Sequence, residues 1–157
     1  MRLLIKQRVF SFGEKFDIYD ENGNVKYYVE SELFTFGHQF HVYDVNNNEI
    51  GSVHQVLFSL PPKYEIVMNG VTRGHIEKLF TLFYQRYGVD FNGWEVEGDF
   101  LNWNYDVCSG GQSIIQINKE WLTWGDTYTI DFINPEDELM GLMLVIAIDA
   151  ANCDHNH

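Results

Sequence analysis

Hydrophobic and polar residues alternate through the first half of the chain in three similar segments. The segment at 16–20 recurs at 40–44, offset by 24 residues, and a fainter copy follows at 64–68. A turn signal rich in Asn or Gly follows each copy and leads into a second alternating run. Because Asn and Gly accept the positive φ of tight hairpin turns, this pattern predicts three successive β-hairpins.

The second half continues in the same manner. Aromatic residues are dense between 80 and 91, and Asn92-Gly93 gives a fourth turn signal before an alternating run at 94–98. In the next run, at 101–107, Leu101, Trp103, Tyr105 and Val107 are predicted to share one face of a strand. Two further strands are predicted at 113–117 and 128–133, with a turn-like segment between them at 121–125. Together with a strand in 3–12, the chain contains about a dozen strands.

One segment does not alternate. Residues 139–148 are apolar throughout, and they follow Asn134-Pro135 and three acids, a sequence typical of a helix start in which Asn134 caps. A helix that is apolar on every side must be buried. Because a membrane span needs about 20 apolar residues, whereas Asp149 ends this run, a core helix at about 136–150 is the favoured interpretation.

These elements predict a mostly β fold in a single domain, residues 1–157. A dozen antiparallel strands leave edges that closure into a barrel would remove, and a barrel of that size is too wide for side chains alone to fill. We therefore expect a closed, roughly twelve-stranded antiparallel barrel around a central hydrophobic C-terminal helix.

Composition changes this picture little, but charge restricts the partners. The formal net charge of −13, with ten Lys and Arg spread thinly, disfavours nucleic acid and anionic membrane surfaces. Only two cysteines occur, and the N-terminal residues do not form a signal peptide, so we expect a reducing, cytoplasmic location. The sequence indicates no oligomeric state.

The order and spacing of several motifs resemble the LURP-one-related family, in particular its small bacterial members of the YxjI type. The residues that carry the resemblance are Phe-x-Ile-Tyr-Asp-Glu-Asn-Gly-Asn at 16–24, aromatic-x-Val-Tyr-Asp at 40–44, Trp-x-Val-x-Gly-Asp at 94–99, Asp-Thr-Tyr at 126–128, and Leu-Val-Ile-Ala-Ile-Asp at 144–149. The resemblance covers nearly the whole chain. It implies the fold shared by tubby C-terminal domains and phospholipid scramblases, a twelve-stranded barrel around a hydrophobic helix.

The resemblance also implies a possible lipid function. Tubby domains bind phosphoinositide head groups through Lys and Arg, and scramblases are linked to lipid movement and calcium. This chain lacks a basic cluster on any one strand, and its nearest candidates for a lipid head group are Arg73, Lys78 and Arg86. Because one fold serves many functions, the fold alone does not assign this one.

Three kinds of chemistry compete with structural roles for the polar residues of the chain. Asp44-x-Asn46-x-Asn48 begins like a calcium loop but lacks its Gly and final Glu, and Asp and Asn in hairpin turns usually serve the backbone. The histidines and the tail at 153–157 offer metal ligands, but strand histidines are more often hydrogen-bonded, and terminal tails are usually mobile. No catalytic residue, cofactor or metal site is predicted.

Binding is the remaining class. Aromatic residues either line a binding rim or, as the more favoured interpretation, form the barrel wall against the helix: Trp103, Tyr105, Trp121 and Trp124. The sequence thus predicts a non-enzymatic binding or scaffold module for a protein or an uncharged ligand. Peripheral lipid binding is the alternative, and a small-molecule enzyme is a third, less favoured hypothesis.

Overall fold

Twelve strands and one helix make up the computed structural model, which describes residues 1–6, 15–32, 36–79, 81–83, 86–122 and 125–153. The strands are β1 (Arg2–Ile5), β2 (Lys15–Asp20), β3 (Val25–Ser31), β4 (Gln39–Tyr43), β5 (Glu49–Gln55), β6 (Lys63–Met68), β7 (Val71–Leu79), β8 (Arg86–Val89), β9 (Trp94–Asp99), β10 (Asn104–Ser109), β11 (Gln112–Leu122) and β12 (Gly125–Phe132). A 3-10 turn, Pro135–Asp137, leads into the helix α1 (Glu138–Cys153).

All strands belong to one antiparallel sheet with the order β8-β7-β6-β5-β4-β3-β2-β1-β12-β11-β10-β9. Each strand pairs with its neighbours in sequence, except that β8 does not pair with β9. β1 pairs with β12, with Leu3 opposite Ile130, so the first strand lies beside the last. β8 and β9 form the two ends of the sheet and nearly meet, which gives the predicted barrel around the helix.

The turns form as the Asn and Gly pattern predicts. Asn69 and Gly70 both have positive φ, 51° and 76°, in a two-residue connection. Asp44 accepts hydrogen bonds from the backbone N–H groups of Asn46 and Asn48, each at 2.9 Å, and Asp20 repeats this arrangement in its own turn. These Asp and Asn residues therefore serve the backbone, as interpreted from the sequence.

Helix α1 fills the barrel. Residues 142–147 are completely buried, and the inward side chains of the strands pack around them. Close approach requires Gly at some contacts: a Cβ at Gly141 would lie 2.5 Å from Phe132. Asn134 lies at the helix entry but makes no side-chain capping hydrogen bond, so that part of the prediction is wrong, and Pro135 supplies the start signal.

Two other predicted details differ. Leu101 does not share the inward face with Trp103, Tyr105 and Val107; it is 63% exposed, because the chain turns at residues 100–103 before β10 begins. The predicted turn-like segment at 121–125 contributes to both neighbouring strands, and its residues 123–124 lie outside the described residues. The same holds for 7–12 of the predicted first strand and for 154–157 of the tail.

The antiparallel order gives the barrel two different ends. At one, which we call the turn end, the connections are short, at 21–24, 44–48, 69–70, 90–93 and 110–111, and α1 begins there. At the other, the loop end, the connections at 32–38, 56–62, 80–85 and 100–103 emerge, and α1 ends there. In the described part of the chain, no helix is both long and apolar enough to cross a membrane.

Candidate functional site

The sheet is interrupted at one seam. β8 and β9 lie side by side and are joined by the turn at 90–93, but within the described residues no ladder hydrogen bond links them. Each of these strands pairs with one neighbour only, β8 with β7 and β9 with β10. The edges that face each other across the seam therefore have backbone groups available to a further strand.

A cleft of about 600 Å³ occupies this seam. That volume is within the range of pockets that bind small ligands or short peptide segments. Residues of both strands and of their flanking turns line it: Leu79, Arg86, Tyr87, Gly88, Val89, Trp94, Glu95, Val96, Glu97, Gly98 and Phe100.

Side chains hold the floor of the cleft together where the ladder is missing. Tyr87 is buried, and its hydroxyl donates a hydrogen bond to Oδ1 of Asn152 on α1. The side-chain amide of Asn152 donates to the carbonyl oxygen of Phe100 at 2.9 Å. The rings of Tyr87 and Phe100 meet edge to face, with centroids 4.8 Å apart. The last turn of the helix thus bridges the two sides of the seam.

The rim of the cleft is charged. Arg86 is exposed on the β8 side, and Glu95 and Glu97 are exposed on the β9 side. Cys108, on the neighbouring strand, donates from Sγ to Glu97 at 3.5 Å, and burial and the nearby carboxylates raise the pKa of its thiol. A thiol held protonated in this way is a poor nucleophile.

Beneath the floor, ionisable groups are buried near the end of α1. Lys78 is 3% exposed, and its ammonium donates a hydrogen bond to the carbonyl oxygen of Ala151 at 3.3 Å. At this position the positive charge is stabilised by the negative end of the helix dipole. Tyr105 is also buried; its burial, together with the nearby charge of Asp149, raises the pKa of its hydroxyl well above the usual range. Tyr105 therefore stays protonated at physiological pH.

The three predicted head-group residues do not share an exposed face. Arg73 lies exposed on β7, at a bulge near the turn end, whereas Arg86 begins β8 at the loop end. Lys78 points into the barrel, because alternation along β7 places it on the same face as the buried Ile76. A head-group site at Arg73, Lys78 and Arg86 stays a prediction, and these three residues do not form one exposed cluster.

Three of the histidines considered as metal ligands, His41, His54 and His75, have hydrogen-bonding partners for their rings. His41 lies between Glu32 and Glu49, with Nε2 2.5 Å from Glu32. His54 Nε2 lies 2.8 Å from the hydroxyl of Ser52. Across the residues that the structure describes, no group of three or more His, Cys, Asp or Glu side chains is arranged to hold a metal ion.

The aromatic residues follow the favoured interpretation where the structure describes them. Trp103 and Tyr105 are buried in the core, and Trp103 stacks on Tyr128 with ring centroids 4.1 Å apart. The side chain of Trp121 and the whole of Trp124 lie outside the described residues. Trp103 and Tyr105 are thus wall residues and do not form a binding rim.

Sequence reasoning missed Tyr87, Phe100 and Asn152 as a group. Tyr87 and Phe100 stand among many aromatic residues, and no local motif links them to the helix. The one available signal was polar residues in the last turn of an otherwise apolar core helix, at Asp149 and Asn152. Such residues need partners inside the barrel, which indicates a polar contact with the wall.

Comparison with known proteins agrees with this architecture. A solved X-ray structure of an Arabidopsis thaliana protein, AT5G01750, superposes with a TM-score of 0.65 at 14% identity, covering 99% of this chain and 91% of that one. The chain is 30% identical to the uncharacterized protein YxjI of Bacillus subtilis over 149 residues, 95% of this chain and 92% of the relative. The family model described as LURP-one-related matches residues 1–149. The resemblance seen in the sequence is therefore confirmed, and the chain belongs to the LURP-one-related family.

Proposed function

We propose that this protein is a non-enzymatic binding module of the cytoplasm, and that it holds an extended segment of a protein partner in the seam between β8 and β9. The observation that carries the proposal is that, among the described residues, no ladder hydrogen bond joins β8 and β9 where they flank a cleft of about 600 Å³.

Strand edges bind other strands. An extended peptide can satisfy the free N–H and C=O groups of an exposed edge, and pockets for alternate side chains then supply specificity. Here the inner side of the cleft offers Tyr87, Val96 and Phe100 to apolar side chains. The outer side offers Glu95 and Glu97, which favour basic side chains at the alternating positions.

A binding role agrees with the groups at the cleft better than catalysis does. Acid–base catalysis relies on groups whose acidity is shifted by burial, in contact with the substrate. The charged groups at the rim, Arg86, Glu95 and Glu97, are exposed to water. The buried groups, Lys78 and Tyr105, lie beneath the floor and bind to the helix or pack in the core.

Selection from a displayed random-peptide library would test the proposal, with the affinity of the selected peptides measured by calorimetry. A blocking variant is Gly88→Trp, because a Cβ at Gly88 meets only Leu79, at 3.7 Å or more, and the added ring would occupy the cleft. The control is Val71→Trp, which adds the same ring at an exposed position of the turn end.

We expect the selected peptides to alternate apolar and basic residues, and to bind Gly88→Trp at least about tenfold more weakly than the parent, a difference of about 1.4 kcal/mol. Val71→Trp should bind like the parent. Peptides that bind all three proteins equally would place the site elsewhere and contradict the proposal.

Head-group binding stays the alternative, with Arg73 near the turn end and Arg86 at the loop end as separate exposed candidates. It predicts that soluble inositol phosphates bind the parent, and that either Arg73→Ala or Arg86→Ala weakens this binding. The seam proposal predicts no such dependence on Arg73.

A further inference from the structure

Large apolar side chains project from one end of the barrel. They are exposed to between 48% for Leu57 and 103% for Phe58, and all lie on connections of the loop end: Phe36, Leu57, Phe58, Leu60, Leu82, Phe83 and Leu101. We call these seven residues the apolar tips. Single exposed apolar residues are common on protein surfaces, but a concentration at one end indicates a surface for interaction.

The rest of the described surface has no such concentration of large apolar side chains. Its other large exposed apolar residues are dispersed: Val45, Val71 and Ile133 near the turn end, and Leu79 at the end of β7. The apolar tips come from four successive connections, 32–38, 56–62, 80–85 and 100–103. Neighbouring connections lie next to each other around the barrel, so the tips face one direction.

Hydrogen bonds fix these loops relative to the sheet. The backbone N–H of His38 donates to the side-chain oxygen of Gln55 at 2.9 Å, and the backbone N–H of Gln55 donates to the His38 carbonyl at 2.8 Å. The carbonyl of Pro62 accepts a hydrogen bond from the backbone N–H of Lys78 at 2.8 Å. The tips at 36 and 57–60 are therefore presented together.

The charges are distributed unevenly between the ends. Basic residues lie where strands meet the loop end: Lys6, Lys15, Lys63 and Arg86. Carboxylates at this end, Glu30, Glu32, Glu77, Asp99 and Glu120, roughly balance them. The turn end has a dense acidic set: Asp20, Glu21, Asp44, Glu49, Asp90, Glu136, Asp137 and Glu138. Among the described residues, the acidic surplus is therefore larger at the turn end than at the loop end, although Arg2, Lys26 and Arg73 also lie near the turn end.

We propose that the loop end inserts its apolar tips into the interface of a lipid bilayer, with the turn end facing away. Separate side chains on separate loops suit lipid, because acyl chains surround each one without a matching surface, whereas a protein partner would have to be shaped to all of them. Lys15, Lys63 and Arg86 lie behind the tips, at the depth of phosphate groups. This contact differs from head-group recognition, since apolar insertion supplies the affinity and neutral lipid suffices.

Vesicle flotation with the full chain tests the proposal. The probes are vesicles of phosphatidylcholine alone and of phosphatidylcholine with phosphatidylserine, each at about 0.1 M and about 1 M salt, between which the screening length falls from about 10 Å to about 3 Å. The test variant is the double substitution Phe58→Ser and Leu60→Ser. The control is Val45→Ser with Ile133→Ser, two apolar residues at the turn end that are 58% and 59% exposed.

We expect the parent to float with both kinds of vesicle and at both salt concentrations. The test variant should lose at least about tenfold in partitioning, since each buried apolar side chain contributes roughly that factor. The control should float like the parent, and thermal melting should show both variants folded.

Three results would overturn the proposal. The first is a parent that does not float with either vesicle. The second is flotation that requires phosphatidylserine and disappears at about 1 M salt, which would indicate electrostatic head-group binding. The third is equal flotation of the test and control variants. None of these results bears on the seam proposal. That proposal is tested separately by peptide binding to Gly88→Trp, a variant in which the apolar tips are unchanged.

Discussion

His41 lies on the outer wall of the barrel with a carboxylate at each ring nitrogen. Glu49 contacts Nδ1 and Glu32 contacts Nε2, and the ring of His54 lies 6.1 Å away. Burial lowers the pKa of His41, but the hydrogen bonds and charges of Glu49 and Glu32 raise it by a larger amount. The pKa of His41 is therefore raised overall. Both ring nitrogens can donate only when the imidazole is protonated.

His41 should therefore make stability depend on pH. A folded-state pKa above 6.5 means that its contribution is complete below the unfolded pKa and is lost as the pH rises through the folded pKa. We expect His41→Gln to lower the melting temperature most at about one pH unit below 6.5, and least at about three units above it. His54→Gln is the control. A melting difference that does not change with pH would contradict this prediction.

Lys78 shows how the fold can bury a charged residue. Its ammonium binds the Ala151 carbonyl near the end of α1. We expect Lys78→Met, which keeps the apolar stem, to lower the free energy of unfolding by about 1–3 kcal/mol, measured by urea denaturation. Arg86→Met, on the exposed start of β8, should change it by less than about 0.5 kcal/mol. Equal stability of the two variants would mean that the buried ammonium contributes nothing.

At the scale of elements, α1 determines the interior. Its apolar surface on every side, at residues 139–148, correctly predicted a buried helix, because no face of such a helix suits contact with water. The hairpins were equally predictable, since alternation and Asn-Gly turns act locally. Lys78 was not predictable as an interior residue: its direction depends on the register of β7, and its partner is 73 residues away.

Charging the helix tests its central position. Val145 and Ala147 are completely buried, so Ala147→Asp or Val145→Lys would place an ionised group in the core at a cost of several kcal/mol. That cost is comparable to the total stability of an ordinary domain. We expect either variant to lose its cooperative thermal transition by circular dichroism, whereas Glu136→Ala, at the exposed helix entry, should retain it.

At the scale of the whole molecule, the seam is the place where the described sheet lacks ladder hydrogen bonds between adjacent strands. The sequence predicted a closed sheet but did not locate the place where ladder pairing stops. Whether β8 and β9 pair depends on the lengths and tilts of all twelve strands together, and no local sequence pattern specifies this combined geometry. The cleft was therefore not predictable.

We expect the side chain of Asn152 to hold the two sides of the seam together. Asn152→Ala removes the partner of the Tyr87 hydroxyl and of the Phe100 carbonyl. We expect faster amide hydrogen exchange in β8 and β9 and a loss of about 1–3 kcal/mol in the free energy of unfolding. Asn102→Ala is the control, because Asn102 binds the exposed Asp99 at 2.7 Å. Unchanged exchange in β8 and β9 would show that the aromatic contacts alone hold the seam.

The pairing of β1 with β12 also governs the order in which this chain can fold during synthesis. The N-terminal ammonium of Met1 lies 3.3 Å from the carbonyl oxygen of Phe132. β1 can pair with β2 early, but it gains its second partner only after β12 has left the ribosome. The helix that fills the interior is translated later still. The nascent chain therefore exposes the apolar wall of the barrel until α1 emerges, and partly folded chains with such exposed apolar surface are prone to aggregation.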